Sequence, residues 1–182
     1  MMGKRKVSIV SILALIVGLS GLGLGAYSLY NYQQFVNQVE PPKPLARASL
    51  AFSYSIPSTT WTTINFDVLD YDETGDFNII TNRFICPTSG YYLVSGMVTF
   101  IMQDGETIQL AAFREGVYEA GSLAHASHSD GVSTGFTDIV YLNVSDYLEL
   151  RAHHTGSGSR SIFGNAEGTY TYLTITAVDN LN

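Results

Sequence analysis

The chain has 182 residues, a formal net charge of −7, 46% hydrophobic residues and only 14% charged ones. This composition is too apolar for a disordered chain and too poor in charge for a coiled-coil rod. Three of the nine basic residues are Lys4, Arg5 and Lys6, and from Lys43 onward six basic residues stand against fifteen acidic ones. No basic stripe is available for phosphates, so we expect no nucleic-acid partner.

The first 30 residues predict a membrane anchor. Residues 1–6 form a basic stub, and an uncharged, mostly apolar run extends from Val7 to Tyr30. Because about 20 helical residues cross a bilayer, residues 7–30 predict a transmembrane helix. The positive-inside rule then places the N-terminus in the cytoplasm and the rest of the chain outside. A cleaved signal peptide ending in GLGLGA is the alternative, and the protein would then be secreted.

Residues 31–46 predict a short helical stalk and a proline-rich linker. Leu29, Tyr32, Val36 and Val39 recur at heptad-like spacing, which is typical of a helix that pairs with a partner helix. The sequence EPPKP ends the helix, because proline lacks an amide donor and restricts the residue before it. The segment is therefore either a spacer or a self-associating stalk.

Residues 47–182 predict an all-β domain. Runs rich in Val, Ile, Thr, Tyr and Phe alternate with clusters of Gly, Ser, Asn and Asp, the pattern of a β-sandwich or jelly roll. The predicted strands are Ala48–Ser53, Thr62–Phe66, Arg83–Cys86, Tyr91–Ile101, Thr107–Arg114, Val117–Ala124, Thr137–Leu142, Tyr147–His153 and Thr169–Val178.

Two predicted strands carry bulky side chains on both faces. Tyr147–His153 alternates, with Glu149, Arg151 and His153 on one face, whereas Tyr91–Ile101 and Thr169–Val178 do not alternate. A strand that is buried on both sides needs a layer beyond its own sandwich. In so small a domain that layer is most simply another subunit.

The residues of this domain resemble a known family. The segment NRFICPTSGYY is similar to a Phe-x-x-Pro-x-x-Gly-x-Tyr signature, in Phe84, Pro87, Gly90 and Tyr92. The domain is thereby similar to the globular head of complement C1q, in the C1q and tumour necrosis factor superfamily. Further positions that match the pattern are Phe66, Asp67, Phe77, Asp146, Leu148 and Leu150.

The resemblance implies a jelly roll of about ten strands that assembles as a homotrimer and binds ligands without catalysis. It assigns the matching residues, together with Tyr172, to packing of the core or the trimer. No collagen repeat precedes the head, so the chain is closer to the single-domain heads of prokaryotic and viral proteins. Ser145 replaces the usual glycine before Asp146, and the last strand lacks the family's Phe-x-Gly step.

The sequence offers few groups for catalysis. It contains no GxSxG, HExxH or phosphate-binding glycine loop, and we expect no enzyme. Cys86 follows a predicted strand and has only Arg83 as a basic neighbour. A reactive thiol needs an electropositive, exposed setting, so we expect Cys86 to be a buried structural residue.

Metal and modification sites are weak hypotheses. Asp70, Asp72 and Asp76 lie in one acidic loop and are candidate calcium ligands, although the pattern favours a solvated acidic loop over a metal site. Otherwise no cofactor is expected. Asn143 begins the glycosylation sequon NVS in a predicted turn.

The four histidines raise two further hypotheses. His125, His128, His153 and His154 could bind zinc or line a subunit surface that titrates near neutral pH.

These features favour a membrane-anchored, extracellular, homotrimeric recognition or adhesion module. The loops MQDGET, HASHSDG and TGSGSR would bind a protein or glycan, because loops carry recognition while strands hold the scaffold. One alternative is a structural surface or virion component that acts by self-assembly. Another is a metal-dependent carbohydrate-binding β-sandwich.

Overall fold

The computed structural model describes residues 25, 27–31 and 42–178. The chain divides into two units, Met1–Pro41 and Pro42–Asn182. In the first unit residues 25 and 27–31 are helical and exposed. The predicted basic stub, nearly all of the predicted anchor Val7–Tyr30 and most of the predicted stalk lie outside the described residues. Among the described residues, no helix combines the length and the apolar character needed to cross a bilayer.

The second unit consists of strands and connecting loops, which confirms the all-β prediction. The strands of residues 42–178 are β1 (Leu45–Ser49), β2 (Tyr54–Ile56), β3 (Thr62–Thr63), β4 (Val68–Asp72), β5 (Phe77–Asn78), β6 (Arg83–Ile85), β7 (Gly90–Ile101), β8 (Thr107–Arg114), β9 (Val117–His125), β10 (Gly131–Leu142), β11 (Tyr147–His154), β12 (Arg160–Ile162) and β13 (Tyr172–Ala177).

These strands form two antiparallel sheets packed face to face. The first sheet has the order β2-β12-β7-β13-β1-β4, and β10 pairs with the whole length of β7 along its other edge. The second has the order β5-β6-β11-β8-β9, with β3 paired to β11. The chain passes repeatedly from one sheet to the other, as from β6 to β7 and from β10 to β11. This is the jelly-roll arrangement predicted from the sequence.

The core lies between the sheets and follows from the alternation of side chains along each strand. The inner residues of β7 and β11 are almost fully buried, among them Tyr92, Val98, Phe100, Leu148 and Leu150. Each large apolar side chain buried in this way stabilises the fold by about 1.5–3 kcal/mol. One side of each sheet is thus covered by the other sheet.

The sandwich has two distinct ends. Leu45 starts β1 at the end where β13 finishes, since its carbonyl accepts the N–H of Glu73 and the carbonyl of Pro44 accepts the N–H of Ala177. We call this the entry end. The β7–β8, β9–β10 and β11–β12 loops lie at the opposite end, the distal end.

Several predicted strand boundaries are wrong. At these places side-chain oxygens accept the backbone N–H groups, so the strand ends earlier than predicted. Ala48–Ser53 was expected as a strand, but β1 ends at Ser49, since the Asp67 carboxylate accepts the N–H groups of residues 51 and 52. The predicted strand Thr62–Phe66 ends at Thr63, where Phe66 N–H donates to Asn82 Oδ1 at 2.7 Å. The short strands β2, β4, β5 and β12 were not predicted.

Two other strands keep their predicted place but change in length. Thr137–Leu142 is the second half of β10, which begins six residues earlier at Gly131. Gly131 and Gly135 lie outside the predicted strand, yet they pair in register with Ile101 and Met97. Thr169–Val178 shortens to β13, Tyr172–Ala177.

Candidate functional site

The solvent side of the first sheet is rich in apolar residues, and we call it the first outer face. It is formed by β1, β7, β10 and β13. Met97 and Tyr172 are half-buried there. Five large apolar side chains keep between 37% and 46% of their surface exposed, namely Tyr91, Leu93, Ile101, Ile139 and Tyr141. Such a face on a soluble domain indicates an interaction surface.

Strand register makes this apolar face continuous. Leu93 lies beside Ile139, and Tyr91 lies beside Tyr141. The two tyrosine rings pack edge to face with their centroids 5.2 Å apart. On the other side of β7, Tyr172 of β13 lies opposite Met97. The first outer face is therefore the outward side of the strands whose inward side builds the core.

Hydroxyl groups on the first outer face find their partners within the chain. Thr137 donates to Ser95 Oγ at 3.0 Å, and the hydroxyls of Thr99 and Ser133 are 2.7 Å apart. Because these groups are satisfied, covering the face with another layer would leave no lost hydrogen bond here.

The one arginine on this face is also held in place. Arg47 forms an ion pair with Asp70 and donates to the carbonyl of Gly168 at 2.7 Å. Its guanidinium lies 4.8 Å from the centroid of the Tyr172 ring. The charge is therefore neutralised locally and stacked on an aromatic ring.

A shallow depression of about 240 Å³ interrupts the first outer face between Met97, Thr137 and Tyr172. It exists because Gly135 has no side chain. A Cβ at that position would lie 2.8 Å from the carbonyl oxygen of Gly96, so a larger residue would force the two strands apart.

The solvent side of the second sheet, the second outer face, differs in chemistry. Glu149 is only 2% exposed there, between two arginines. Arg83 Nε donates to Glu149 Oε2 at 3.0 Å, and Arg151 Nε donates to Glu149 Oε1 at 2.8 Å. Hydrogen bonding to Glu149 raises the pKa of Arg83. Both carboxylate oxygens of this buried glutamate are thus occupied.

An aromatic cluster covers the middle of the second outer face. The Trp61 ring lies 5.3 Å from the Phe113 ring, 6.3 Å from the Tyr118 ring and 5.3 Å from the His153 ring, measured between centroids. The Arg151 guanidinium lies 4.4 Å from the Phe113 centroid. These side chains pack on one another, which leaves Phe113 only 7% exposed while Tyr118 stays 54% exposed.

His153 has an unusual environment within that cluster. Its Nδ1 is buried and has no hydrogen-bond partner among the described residues. Burial, followed by the proximity of His154, lowers the pKa of His153. The imidazole is therefore neutral at pH 7.

The three loops expected to bind ligand do meet at the distal end. Gly105 N–H donates to the Ala126 carbonyl at 2.9 Å, which ties the β7–β8 loop to the β9–β10 loop. Thr155 N–H donates to the Thr107 carbonyl at 3.0 Å, which ties in the β11–β12 loop.

An ion pair braces the same loops. Arg160 Nε donates to Glu106 Oε2 at 2.8 Å, and a second bond joins the guanidinium to Oε1. This hydrogen bonding lowers the pKa of Glu106 to about 2. Folding thus brings together residues from loops that are more than fifty positions apart in sequence.

Most residues of the family-like motif lie in the core. Phe84 and Tyr92 are buried, with ring centroids 5.5 Å apart, and Phe66 packs on Phe77 at 6.3 Å. Leu148 is fully buried. Tyr172 alone of the motif set lies on the first outer face.

The remaining motif residues shape turns at the entry end. Pro87 precedes β7, and Gly90 is its first residue. Asp146 accepts the N–H of Asn143 at 2.9 Å and its side-chain amide at 3.1 Å. Asn143 is exposed in this β10–β11 turn, and its glycosylation stays a prediction.

The lone thiol is enclosed by the fold. Cys86 is 1% exposed, with Sγ 3.1 Å from the Thr88 carbonyl oxygen and 3.5 Å from Tyr92 Oη. Burial raises the pKa of the thiol. Nothing in this setting activates Cys86 as a nucleophile.

The candidate calcium ligands have other partners. Asp72 accepts the N–H groups of residues 75, 76 and 77, Asp70 pairs with Arg47, and Asp76 accepts from Thr74. Within the described ranges, no group of three metal-ligating side chains converges. Calcium binding stays an untested prediction.

The histidines are dispersed over the domain. His125 and His128 lie near the distal end, and His153 lies on the second outer face. His154 is fully buried, with Nε2 donating to the Ile56 carbonyl at 3.2 Å and Nδ1 accepting from Gly156 at 3.1 Å. None of the four lies on the first outer face, and the histidine-lined subunit surface stays a prediction.

Sequence reasoning missed Trp61 and the Arg83–Glu149–Arg151 triad. The signal was present in part, since Glu149, Arg151 and His153 alternate on one face of their strand. The position of Trp61 depends on the β2–β3 loop, which no periodic pattern predicts.

Comparison with known proteins identifies the fold. No family model matches the sequence, and no curated protein matches it. Among solved structures, Eiger TNF from S. frugiperda has a TM-score of 0.58 at 13% identity, with 78% of this chain and 96% of that chain covered.

Two further solved structures agree. The globular domain of zebrafish complement 1qA has a TM-score of 0.57 at 15% identity, with 77% and 100% covered. Murine APRIL at pH 5.0 has a TM-score of 0.59 at 12% identity, with 75% and 100% covered. The chain therefore has the jelly-roll fold that these tumour necrosis factor and C1q domains share.

Proposed function

We propose that this protein is a non-enzymatic recognition module that assembles as a homotrimer through the first outer face. Residues 7–30 hold it in the cell membrane with the N-terminus in the cytoplasm. The β-domain lies outside the cell and binds a protein or glycan ligand. If residues 7–30 are removed, the same domain is secreted.

The observation that carries this proposal is the exposed apolar face of the first sheet. Four of its hydroxyl groups are paired with one another, and its one arginine is paired with Asp70. Covering it therefore gains about 25 cal/mol for each Å² of apolar surface removed from water, with little polar penalty. The family resemblance implies three copies around an apolar axis, and cyclic symmetry closes such an assembly without leaving a free face.

The position of the distal loops supports a role in recognition. The chain enters the domain at Leu45, at the entry end, whereas the braced loops 102–107, 125–131 and 155–160 lie at the distal end. A membrane anchor before the entry end would leave these loops pointing outward. Three copies on one axis would then bind a multivalent ligand through a high effective concentration.

Two isoleucines with similar exposure test the proposal. Ile139 is 46% exposed on the first outer face, and Ile85 is 40% exposed on the second sheet. We expect Ile139→Glu to convert the trimer to monomer, because three charges would be buried in the contact. We expect Ile85→Glu to leave the trimer intact. Sedimentation equilibrium of the full chain in detergent measures both.

The outcomes separate the proposed functions. A wild-type monomer, or equal dissociation by both variants, contradicts assembly through the first outer face. Large open assemblies in place of a discrete trimer would favour the structural surface or virion component. Ligand binding or thermal stability that a chelator abolishes would favour the metal-dependent carbohydrate-binding sandwich.

A further inference from the structure

The entry end carries an open groove, and we propose that it binds a basic, aliphatic peptide segment of a partner protein. The groove has a volume of about 680 Å³ and lies between the β4–β5 loop, the β6–β7 loop and the β10–β11 turn. The inference goes beyond the proposed function, because it requires neither the trimer nor the distal loops.

Backbone hydrogen bonds hold the walls of the groove together. Ile85 N–H donates to the Asp76 carbonyl at 2.8 Å, and Cys86 N–H donates to the Asp146 carbonyl at 2.8 Å. Ser145 N–H donates back to the Cys86 carbonyl at 2.8 Å. The groove is therefore formed within the single chain before a partner binds, as is usual for ligand sites.

Aliphatic side chains are the first element of the site. Ile80 is 88% exposed, the largest fraction among the large apolar side chains that the structure describes. Val144 and Ile85 are also exposed, and all three residues line the same groove. Single exposed apolar residues are ordinary on a protein surface, whereas several around one concave surface indicate a binding site.

The shape of the groove suits a peptide better than a small molecule. Phe77 and Cys86 are buried and close its floor, whereas its upper side is open to solvent. Small-molecule pockets enclose most of the surface of their ligand, but an open groove lets a peptide continue at both ends. At Gly75 no other atom would lie within 4 Å of an added Cβ, so a peptide backbone has room at this wall.

Charge is the second element and selects a basic peptide. The Asp76 side chain lines the groove, and Asp146 follows the lining residue Ser145. Burial raises the pKa of the Cys86 thiol, and the charges of Asp146 and Asp76 raise it further. Both carboxylates therefore act on the floor of the groove, and neither lysine nor arginine is among the residues that line it.

The hydrogen-bond partners of the two carboxylates are neutral. Asp76 accepts from the Thr74 hydroxyl, and Asp146 accepts from the Asn143 amide. No arginine or histidine of residues 42–178 forms an ion pair with either carboxylate. A lysine or arginine of a bound peptide would therefore meet complementary charge beside the aliphatic side chains.

A phospholipid surface fits the groove less well. Phospholipid head groups carry a phosphate, which Asp76 and Asp146 would repel. Arg83 lies two residues before Ile85 on β6, but it is paired with Glu149. The charges around the groove thus favour a basic peptide.

Three capped tetrapeptides test the ligand class. The full chain in a maltoside detergent is titrated with a peptide of alternating leucine and lysine, and saturation-transfer NMR measures binding, with detergent alone as the blank. We expect saturable binding with a Kd of about 1 mM or tighter. A peptide of alternating leucine and glutamate should bind at least about tenfold more weakly, because its charges are repelled. A peptide of alternating glycine and lysine should lose a similar factor, because it leaves the aliphatic side chains uncovered.

A matched pair of valines locates the site. Val144→Lys places a positive charge at the rim of the groove and should weaken binding of the leucine–lysine peptide about tenfold or more. Val117 is similarly exposed but does not line the groove, so Val117→Lys should bind as the wild type does. Because both valines are exposed, both variants should melt close to the wild-type temperature.

A matched pair of aspartates tests the charge. Asp76→Asn keeps an oxygen that can accept from Thr74 but removes the negative charge, so it should weaken the leucine–lysine peptide. The same variant should narrow the gap between this peptide and the leucine–glutamate peptide. Asp104 is exposed in the β7–β8 loop at the distal end, and Asp104→Asn should leave both affinities unchanged.

Four results would overturn the inference. They are no saturable binding of the leucine–lysine peptide, equal binding of the leucine–glutamate peptide, equal affinities of Val144→Lys and Val117→Lys, and saturable binding of dihexanoylphosphatidylcholine in place of the peptide, which would assign the groove to lipid. The mass of the same sample separates this inference from the trimer: a monomer that binds the peptide refutes only the trimer, and a trimer that does not bind it refutes only the groove site.

Discussion

The two outer faces of this sandwich differ in how far their large side chains are covered by other residues. On the second outer face Trp61, Phe113 and Tyr118 cover one another, and Glu149 is buried between two arginines. On the first outer face Leu93 and Ile139 lie side by side and exposed, with nothing from residues 42–178 above them.

The difference supports the proposal that another subunit covers the first outer face. A sheet face that closes itself contributes to the stability of the single chain, because its side chains contact one another. A face left apolar contributes only when another surface covers it. Substitutions on the two faces should therefore change different measured quantities.

Substitutions in the core between the two sheets should have the largest effect on the free energy of unfolding. Phe84 is fully buried against Tyr92, so Phe84→Ala should lower the free energy of unfolding by about 3–5 kcal/mol. Phe52, which is 78% exposed, is the control. Phe52→Ala should change the free energy of unfolding by less than about 0.5 kcal/mol. Urea denaturation measures both. Similar values for the two variants would show that the inner layer is misassigned.

Substitutions on the second outer face should have the next largest effect on the free energy of unfolding. Glu149→Gln removes the shared charge and should lower the free energy of unfolding by about 2 kcal/mol, because two arginines lose their partner. Glu119→Gln breaks the more exposed pair with Arg114 and should cost about 0–1 kcal/mol. If Glu149→Gln is no more destabilising than Glu119→Gln in urea, the second outer face does not close itself as described.

The distal brace should have a smaller, pH-dependent effect. Hydrogen bonding from Arg160 lowers the pKa of Glu106 to about 2 from 4.5, so the stabilisation is complete above pH 4.5 and is lost as the pH falls toward 2. Arg160→Gln should therefore have a lower free energy of unfolding than the wild type at pH 7. At pH 3 the difference from the wild type should be less than half as large. A difference that stays constant from pH 7 to pH 3 would contradict this role.

The first outer face should show the smallest effect on the single chain. Leu93 is 37% exposed, so Leu93→Ser should change the unfolding free energy of the monomer by less than about 0.5 kcal/mol. Its effect should be on association. The wild-type melting temperature should rise with protein concentration, as expected for an oligomer, and that of Leu93→Ser should rise less. A variant destabilised equally at every concentration would place Leu93 in the fold of the monomer.

Alternation along the strands made the fold predictable. The pattern in Tyr147–His153 identifies one buried and one solvent side, and the bulky residues on both sides of Tyr91–Ile101 indicate that a second layer is needed. The sequence alone does not indicate whether the odd-numbered or the even-numbered residues of Tyr91–Ile101 face the core. The structure places Tyr92 inside a single chain and Tyr91 outside, so the motif tyrosine is a core residue and its neighbour lies on the first outer face.

Features that depend on loops could not be predicted. Asp67 ends β1 by accepting two backbone N–H groups, and Asn82 accepts the N–H of Phe66 just beyond β3. Trp61 reaches the second sheet through a loop that crosses from the first. Side-chain capping and loop crossings join residues without any period in the sequence, so they are visible only in three dimensions.

The most direct test of the account is the number of chains per particle. Sedimentation equilibrium of the full-length wild type in density-matched detergent, at micromolar concentration, should give three protein chains for each particle. A single chain per particle at every concentration tested would mean that the apolar surface of the first sheet is left uncovered, and the central claim would be wrong.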